Sequence, residues 1–131
     1  MNILLDTHVL IWWVEKNPRL GSRAKKTLLS PETRPLVSAA SIWEMAIKAA
    51  TGRLDLADPL EFWVPLLEND WGVHPLAINF EHATAVRQLP LIHNDPFDRM
   101  LVAQAQCEGL TLVTADPAIT AYDVRTIDAS K

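Results

Sequence analysis

Asp6, Glu44, Asp98 and Asp116 lie far apart along the chain, yet each follows an apolar strand-like run or opens the helix after one. A fifth acid, Asp95, precedes Asp98 in the stretch HNDPFDRMLVAQA, with Pro96 between them and the apolar run from Met100 to Ala103 behind. Taken singly, each has an ordinary explanation. Asp6 and Asp116 suit helix N-caps, and Glu44 suits the third helical residue of a capping box opened by Ser41. Asp98 suits the positive end of its helix. Taken together they suggest a site. Four carboxylates in one pocket repel, each close pair at ~4 Å and an effective dielectric of ~20 costing on the order of 4 kcal/mol. Such a pocket must keep protons or hold a cation. Hard oxygen donors favour Mg²⁺ or Mn²⁺ over zinc. Ions of that kind activate water and offset charge on a phosphate undergoing phosphodiester cleavage.

The elements that would gather these acids are legible from apolar pattern and punctuation. Asn2 to Leu5 reads as a buried strand, and Thr7 to Glu15 as a helix. The segment VLIWWV, residues 9 to 14, is apolar on every side, so that helix is either deeply buried or covered by another protein. SRAKKTLL, residues 22 to 29, reads as a second helix and residues 35 to 38 as a second strand. The next helix is expected over residues 41 to 54, with Ser41 and Glu44 as its capping box and Gly52 as its stop. Leu60 to Glu68 is a further helix that Pro65 should distort or divide. A third strand is expected over Gly72 to Pro75 and a helix over Phe80 to Gln88. Asp95 caps the following helix, with Pro96 at its first position and Gly109 at its end. Leu110 to Val113 is a fourth strand, and Tyr122 to Thr126 a last edge strand.

Strands alternating with helices predict a mainly parallel sheet between helical layers. Parallel strands deliver their carboxyl ends to one edge, and ligands bind there, near the point where strand order reverses. Asp6 and Asp116 must then emerge together. The starts of the helices bearing Glu44 and Asp98 face the same edge.

Composition sets the outer bounds. The chain has 131 residues, a length for one domain spanning 1–131, and a net charge of −4 from 16 acids and 12 bases. That balance argues against a simple cationic nucleic-acid glove. The single cysteine excludes an internal disulfide and a cysteine zinc cluster, and suits a reducing cytoplasmic setting. The start lacks the marks of a signal peptide, and no uncharged stretch of about 18 residues offers a membrane span.

The blocks ILLDTHVLIW, SIWEMAIK followed by GRL, LPLIHNDPFDRMLVAQA and GLTLVTAD, in this order, resemble the PIN-domain ribonucleases, most closely the VapC toxins of bacterial toxin–antitoxin pairs. The resemblance runs from about Asn2 to Val124. It implies a three-layer α/β/α fold with a short-stranded central sheet, and a Mg²⁺- or Mn²⁺-dependent endoribonuclease. It further implies an RNA substrate, a cognate antitoxin that covers the acidic site, and a homodimer. The family's acids carry over onto Asp6, Glu44, Asp98 and Asp116, with Asp6 and Asp98 as principal metal ligands, Asp116 as a ligand directly or through water, and Glu44 orienting or deprotonating the attacking water or helping to hold a second metal. Asp95, as an N-cap, is occupied by backbone N–H groups, which leaves Asp98 to lean toward the ion. Thr7 and Thr114 stand beside the acids and could position them by hydrogen bonds.

Lesser candidates have plain alternatives. Arg99 could meet substrate phosphate or pair with the acids as a structural ion pair. Lys48 and Arg53 could contact RNA, or belong to a solvated helix face. His93 could shuttle a proton, though the metal scheme does not need it. Trp43 sits in an apolar helix and reads as core. Two other functions compete. A phosphatase-type phosphotransfer enzyme would want a second Asp two residues after the first, where this chain has His8. A non-catalytic binding module would keep the acids only as caps.

Overall fold

In the computed structural model, which describes residues 1–131, the short aliphatic runs become five strands: β1 (Asn2–Leu5), β2 (Arg34–Ser38), β3 (His74–Leu76), β4 (Thr111–Thr114) and β5 (Thr126–Asp128). Their order across the sheet is β3-β2-β1-β4-β5, and every neighbouring pair is parallel. Leu4 at the centre stands opposite Leu36 on one side and Leu112 on the other. A central parallel strand is covered on both faces, so it needs an unbroken apolar run. Ile3, Leu4 and Leu5 meet that need and are wholly buried.

Alternation along the strands divides the core. Ile3, Leu5 and Val113 join one cluster, with Val9, Leu10, Met45, Trp63 and Leu67 from the helices. Leu4 and Leu112 point the other way and pack with Leu101, Val102 and Ile119. The layers are thus helix, sheet and helix. The seven helices are α1 (Thr7–Val14), α2 (Ser22–Leu29), α3 (Ala39–Ala50), α4 (Leu60–Asn69), α5 (Phe80–Ala85), α6 (Pro96–Glu108) and α7 (Pro117–Thr120). None is long and apolar enough to cross a membrane. The all-round apolar helix α1 is largely a core element. Val9, Leu10 and Trp13 are buried, Ile11, Trp12 and Val14 pack half-buried against them, and Trp13 meets Trp71 edge to face at 4.8 Å.

Several boundaries differ from the sequence expectation. Ser38, not Ser41, caps α3, its hydroxyl accepting from the Ala40 N–H at 3.0 Å. Ser41 and Glu44 therefore share a buried helix face and form no capping box. Pro65 leaves α4 undivided, and α5 gives way to a single 3₁₀ turn at Val86–Gln88. The third strand begins two residues later than expected and ends one residue later. The fifth is not at Tyr122 to Thr126 but at Thr126–Asp128, because the buried Tyr122 ring anchors the preceding turn.

From β1 the chain builds outward through β2 to β3, then returns to the other side of β1 for β4 and β5. Strand order therefore reverses between β1 and β4. Their carboxyl ends form the crevice where open parallel sheets bind ligands.

Candidate functional site

Asp6 leaves β1 at that crevice and caps α1. Its Oδ1 accepts from the backbone N–H of His8 at 2.7 Å and of Val9 at 3.4 Å. Its Oδ2 accepts from the Thr114 hydroxyl, at the end of β4, at 2.6 Å. Thr114 Oγ1 in turn accepts from the Asp116 N–H at 3.0 Å, so one buried hydroxyl ties the two strand ends together. Asp116 caps α7 through Oδ1, which accepts from the Ala118 N–H, leaving Oδ2 directed into the crevice.

Helix α3 brings Glu44. The buried face of α3 consists of Ala40, Ser41, Glu44 and Met45, so a carboxylate lies where a surface helix would place an apolar residue. Glu44 is 2% exposed. Its Oε2 accepts from Lys48 Nζ at 2.6 Å, while Oε1 is buried without a hydrogen-bond partner. An ionised oxygen so placed costs more than it returns unless a further positive group approaches it. Thr7 does not touch an acid. Its hydroxyl donates to Ser41 Oγ at 3.0 Å and joins α1 to α3.

Helix α6 brings Asp98. Asp95 is the N-cap as expected, its Oδ1 accepting from the N–H groups of Phe97 at 2.8 Å and Asp98 at 3.3 Å. Asp98 lies in the first turn of α6. Burial raises its pKa from 3.8 to about 7, and the negative charges of Asp95, Asp6 and Glu44 add to the rise, while His93 opposes it. The four acids that raise or share this field come from three separate segments of chain. Asp116 joins them through His93, whose Nε2 stands 3.0 Å from Asp98 Oδ2 and 3.0 Å from Asp116 Oδ2. The donor atoms of His93, Asp98 and Asp116 lie within 4.8 Å of one another.

The acids named from sequence thus meet at one sheet edge. Other candidates are placed differently. Arg99 pairs with no carboxylate. Its guanidinium donates to the carbonyls of Pro90 at 2.8 Å and Val86 at 3.1 Å and to Tyr122 Oη at 3.2 Å, which fastens the loop before α6. Lys48 is committed to Glu44, and Arg53 lies past the end of α3, where it donates to Thr51. Trp43 is not core. It is 60% exposed and meets the Phe97 ring edge to face at 5.0 Å. The residue that sequence undervalued is His93. Its one visible signal was its place directly before the acidic pair in HNDPFDR.

Carboxylate oxygens dominate the donor set with the His93 ring among them, one Glu44 oxygen is buried and orphaned, and burial, then neighbouring negative charge, raises the Asp98 pKa to about 7. These are the properties of a pocket that accepts a hard divalent cation. Between α3, α4 and β3 runs an apolar groove of about 450 Å³ lined by Ile42, Trp43, Val64, Leu67, Val73 and Leu76.

Comparison with known proteins adds an independent line. The PIN domain family model matches residues 3–125. The chain is 32% identical over 123 residues to Ribonuclease VapC22 of Mycobacterium tuberculosis, covering 92% of this chain and 91% of that protein. Its fold resembles the structure of VapBC2 from Rickettsia felis bound to a DNA fragment from its promoter, with a TM-score of 0.72 at 13% identity over 97% and 98% of the two chains. It also resembles a toxin–antitoxin complex from Klebsiella pneumoniae, with a TM-score of 0.66 at 20% identity over 97% of each chain.

Proposed function

The chain belongs to the PIN-domain family, in its VapC branch, and from that premise we propose that it is the endoribonuclease toxin of a toxin–antitoxin pair, working with Mg²⁺ or Mn²⁺. The observation that carries this reading is the gathering of Asp6, Glu44 and Asp98 into one field with a buried, unpartnered Glu44 oxygen. Carboxylates kept only as helix caps would not need to share a pocket.

Asp6 and Asp98 would hold the cation, with Asp116 joining directly or through water. When bound, the cation would lower the pKa of water and offset charge on the scissile phosphate. The chain's own residues do the remainder. Thr114 and the α1 backbone fix Asp6, so that its carboxylate cannot rotate out of the crevice. Glu44 accepts the proton of the attacking water at Oε1, its one free oxygen. Lys48 holds the other oxygen at 2.6 Å.

The partner reading rests on the relatives and on the groove. One fold relative is a toxin–antitoxin complex. An antitoxin segment would lie in the apolar groove between α3, α4 and β3. A homodimer belongs to the same reading.

Incubation of total RNA with purified protein, followed by mapping of the new ends, tests the activity. Wild type should cut at discrete sites with Mg²⁺ or Mn²⁺, and both EDTA and Asp6→Asn should abolish cutting. Asn keeps an oxygen to cap α1, and circular dichroism checks that the variant folds. Cleavage indifferent to EDTA, or equal in the variant, would remove the reading. Expression without a partner should slow growth, and unimpaired growth with abundant folded protein would count against a toxin.

A further inference from the structure

His93 is built into the pocket more firmly than a loop histidine requires. Its backbone N–H donates to Tyr122 Oη at 2.9 Å, and Tyr122 is 4% exposed. The same Oη receives Arg99, which also grips the carbonyls of Val86 and Pro90. The ring is held as well, since Nδ1 lies 3.1 Å from the Asp95 N–H. A backbone N–H can only donate, so Nδ1 must be the bare nitrogen of the neutral ring. The ring hydrogen then sits on Nε2, which bonds Asp116 Oδ2 at 3.0 Å, while Asp98 Oδ2 stands at the same distance outside the direction of that bond. A nitrogen that carries hydrogen has no lone pair to offer a cation.

Resting on the metal-dependent reading above, we propose that His93 is a positioning residue: its Nε2–H holds the Asp116 carboxylate beside that of Asp98 and is not itself a metal ligand. The stoichiometry of lone pairs permits this. Each carboxylate has lone pairs to spare, so an Oδ2 that accepts from His93 leaves its residue free to face the ion. Hydrogen-bond partners of metal-binding carboxylates typically change affinity by about 10- to 100-fold when removed. The structural link between α6 and α7 is also specific.

The test is Mn²⁺ binding to the full chain without RNA, followed by electron paramagnetic resonance, in wild type, His93→Ala and His93→Gln. Gln can place an N–H donor near the position of Nε2, and Ala cannot. The Mn²⁺ dissociation constant should rise roughly tenfold in His93→Ala and return to within about threefold of wild type in His93→Gln, with unchanged circular dichroism. Nitrogen NMR of the metal-free protein should find the His93 hydrogen on Nε2. Equal affinity in all three proteins would overturn the proposal while leaving the nuclease reading intact. So would the hydrogen on Nδ1, or a directly coupled imidazole nitrogen in the Mn²⁺ spectrum. Wild type that binds no Mn²⁺ would overturn both.

Discussion

At the scale of single residues, Asp98 carries the largest electrostatic cost. Its pKa in the folded protein is about 7, against an ordinary 3.8, through burial first and then the charges of Asp95, Asp6 and Glu44. The folded state therefore keeps a proton that the unfolded state has lost over the interval from about pH 4 to pH 7. Stability falls as pH rises through that window, and above it the whole penalty is present. Asp98→Asn removes the penalty. In EDTA its melting temperature should exceed that of wild type by several degrees at pH 8, with the gap closing toward pH 4. RNA cleavage should fall by at least about 10²-fold, the scale on which losing a charge-stabilising group acts. A lower melting temperature at pH 8 would show that Asp98 serves the fold instead. That acids gather here was legible in the sequence, because parallel topology alone puts Asp6 and Asp116 on one edge. The place of His93 was not. It depends on a loop fastened by Arg99 and Tyr122, and those contacts leave no periodic trace.

Elements were legible where pattern and burial agree and were displaced where two signals compete. Ser38 and Ser41 both precede apolar helical runs, and the one with extended backbone became the cap. Glu44 then took the face turned toward the crevice, which put Trp43 outward although its neighbours suggested core. Tyr122 has strand propensity but spends its ring as an anchor, so the last strand begins later. Two glycines separate two kinds of constraint at element ends. Gly109 closes α6 with φ of 66°, and a Cβ there would meet nothing within 4 Å. Gly109→Ala should cost about 1 kcal/mol, from backbone conformation alone. Gly21 has an ordinary φ of −68°, but a Cβ there would fall 2.1 Å from the Lys131 backbone carbon. Gly21→Ala should cost about 1–3 kcal/mol and expose the Gly21 and Arg23 amides that now bond the Ala129 and Lys131 carbonyls. Urea denaturation gives both values, and hydrogen exchange separates them, with faster exchange at 21 and 23 expected only in the second variant.

For the whole molecule, the sheet order sets the site and the site should feed back on the fold. A cation bound only by the folded chain stabilises it by mass action, about 2.7 kcal/mol at a hundredfold excess over its dissociation constant. Mn²⁺ should therefore raise the melting temperature of wild type, and do so much less in Asp6→Asn. An equal rise in both would mean that the ion binds elsewhere. The same topology spreads the pocket along nearly the full sequence, since Asp6 and the Thr114 hydroxyl that holds it are 108 positions apart. During synthesis, then, the first acid leaves the ribosome long before its partners exist. A half-made chain holds Asp6 without the Thr114 hydroxyl that fixes it, so the acidic crevice forms only once β4 has been added beside β1.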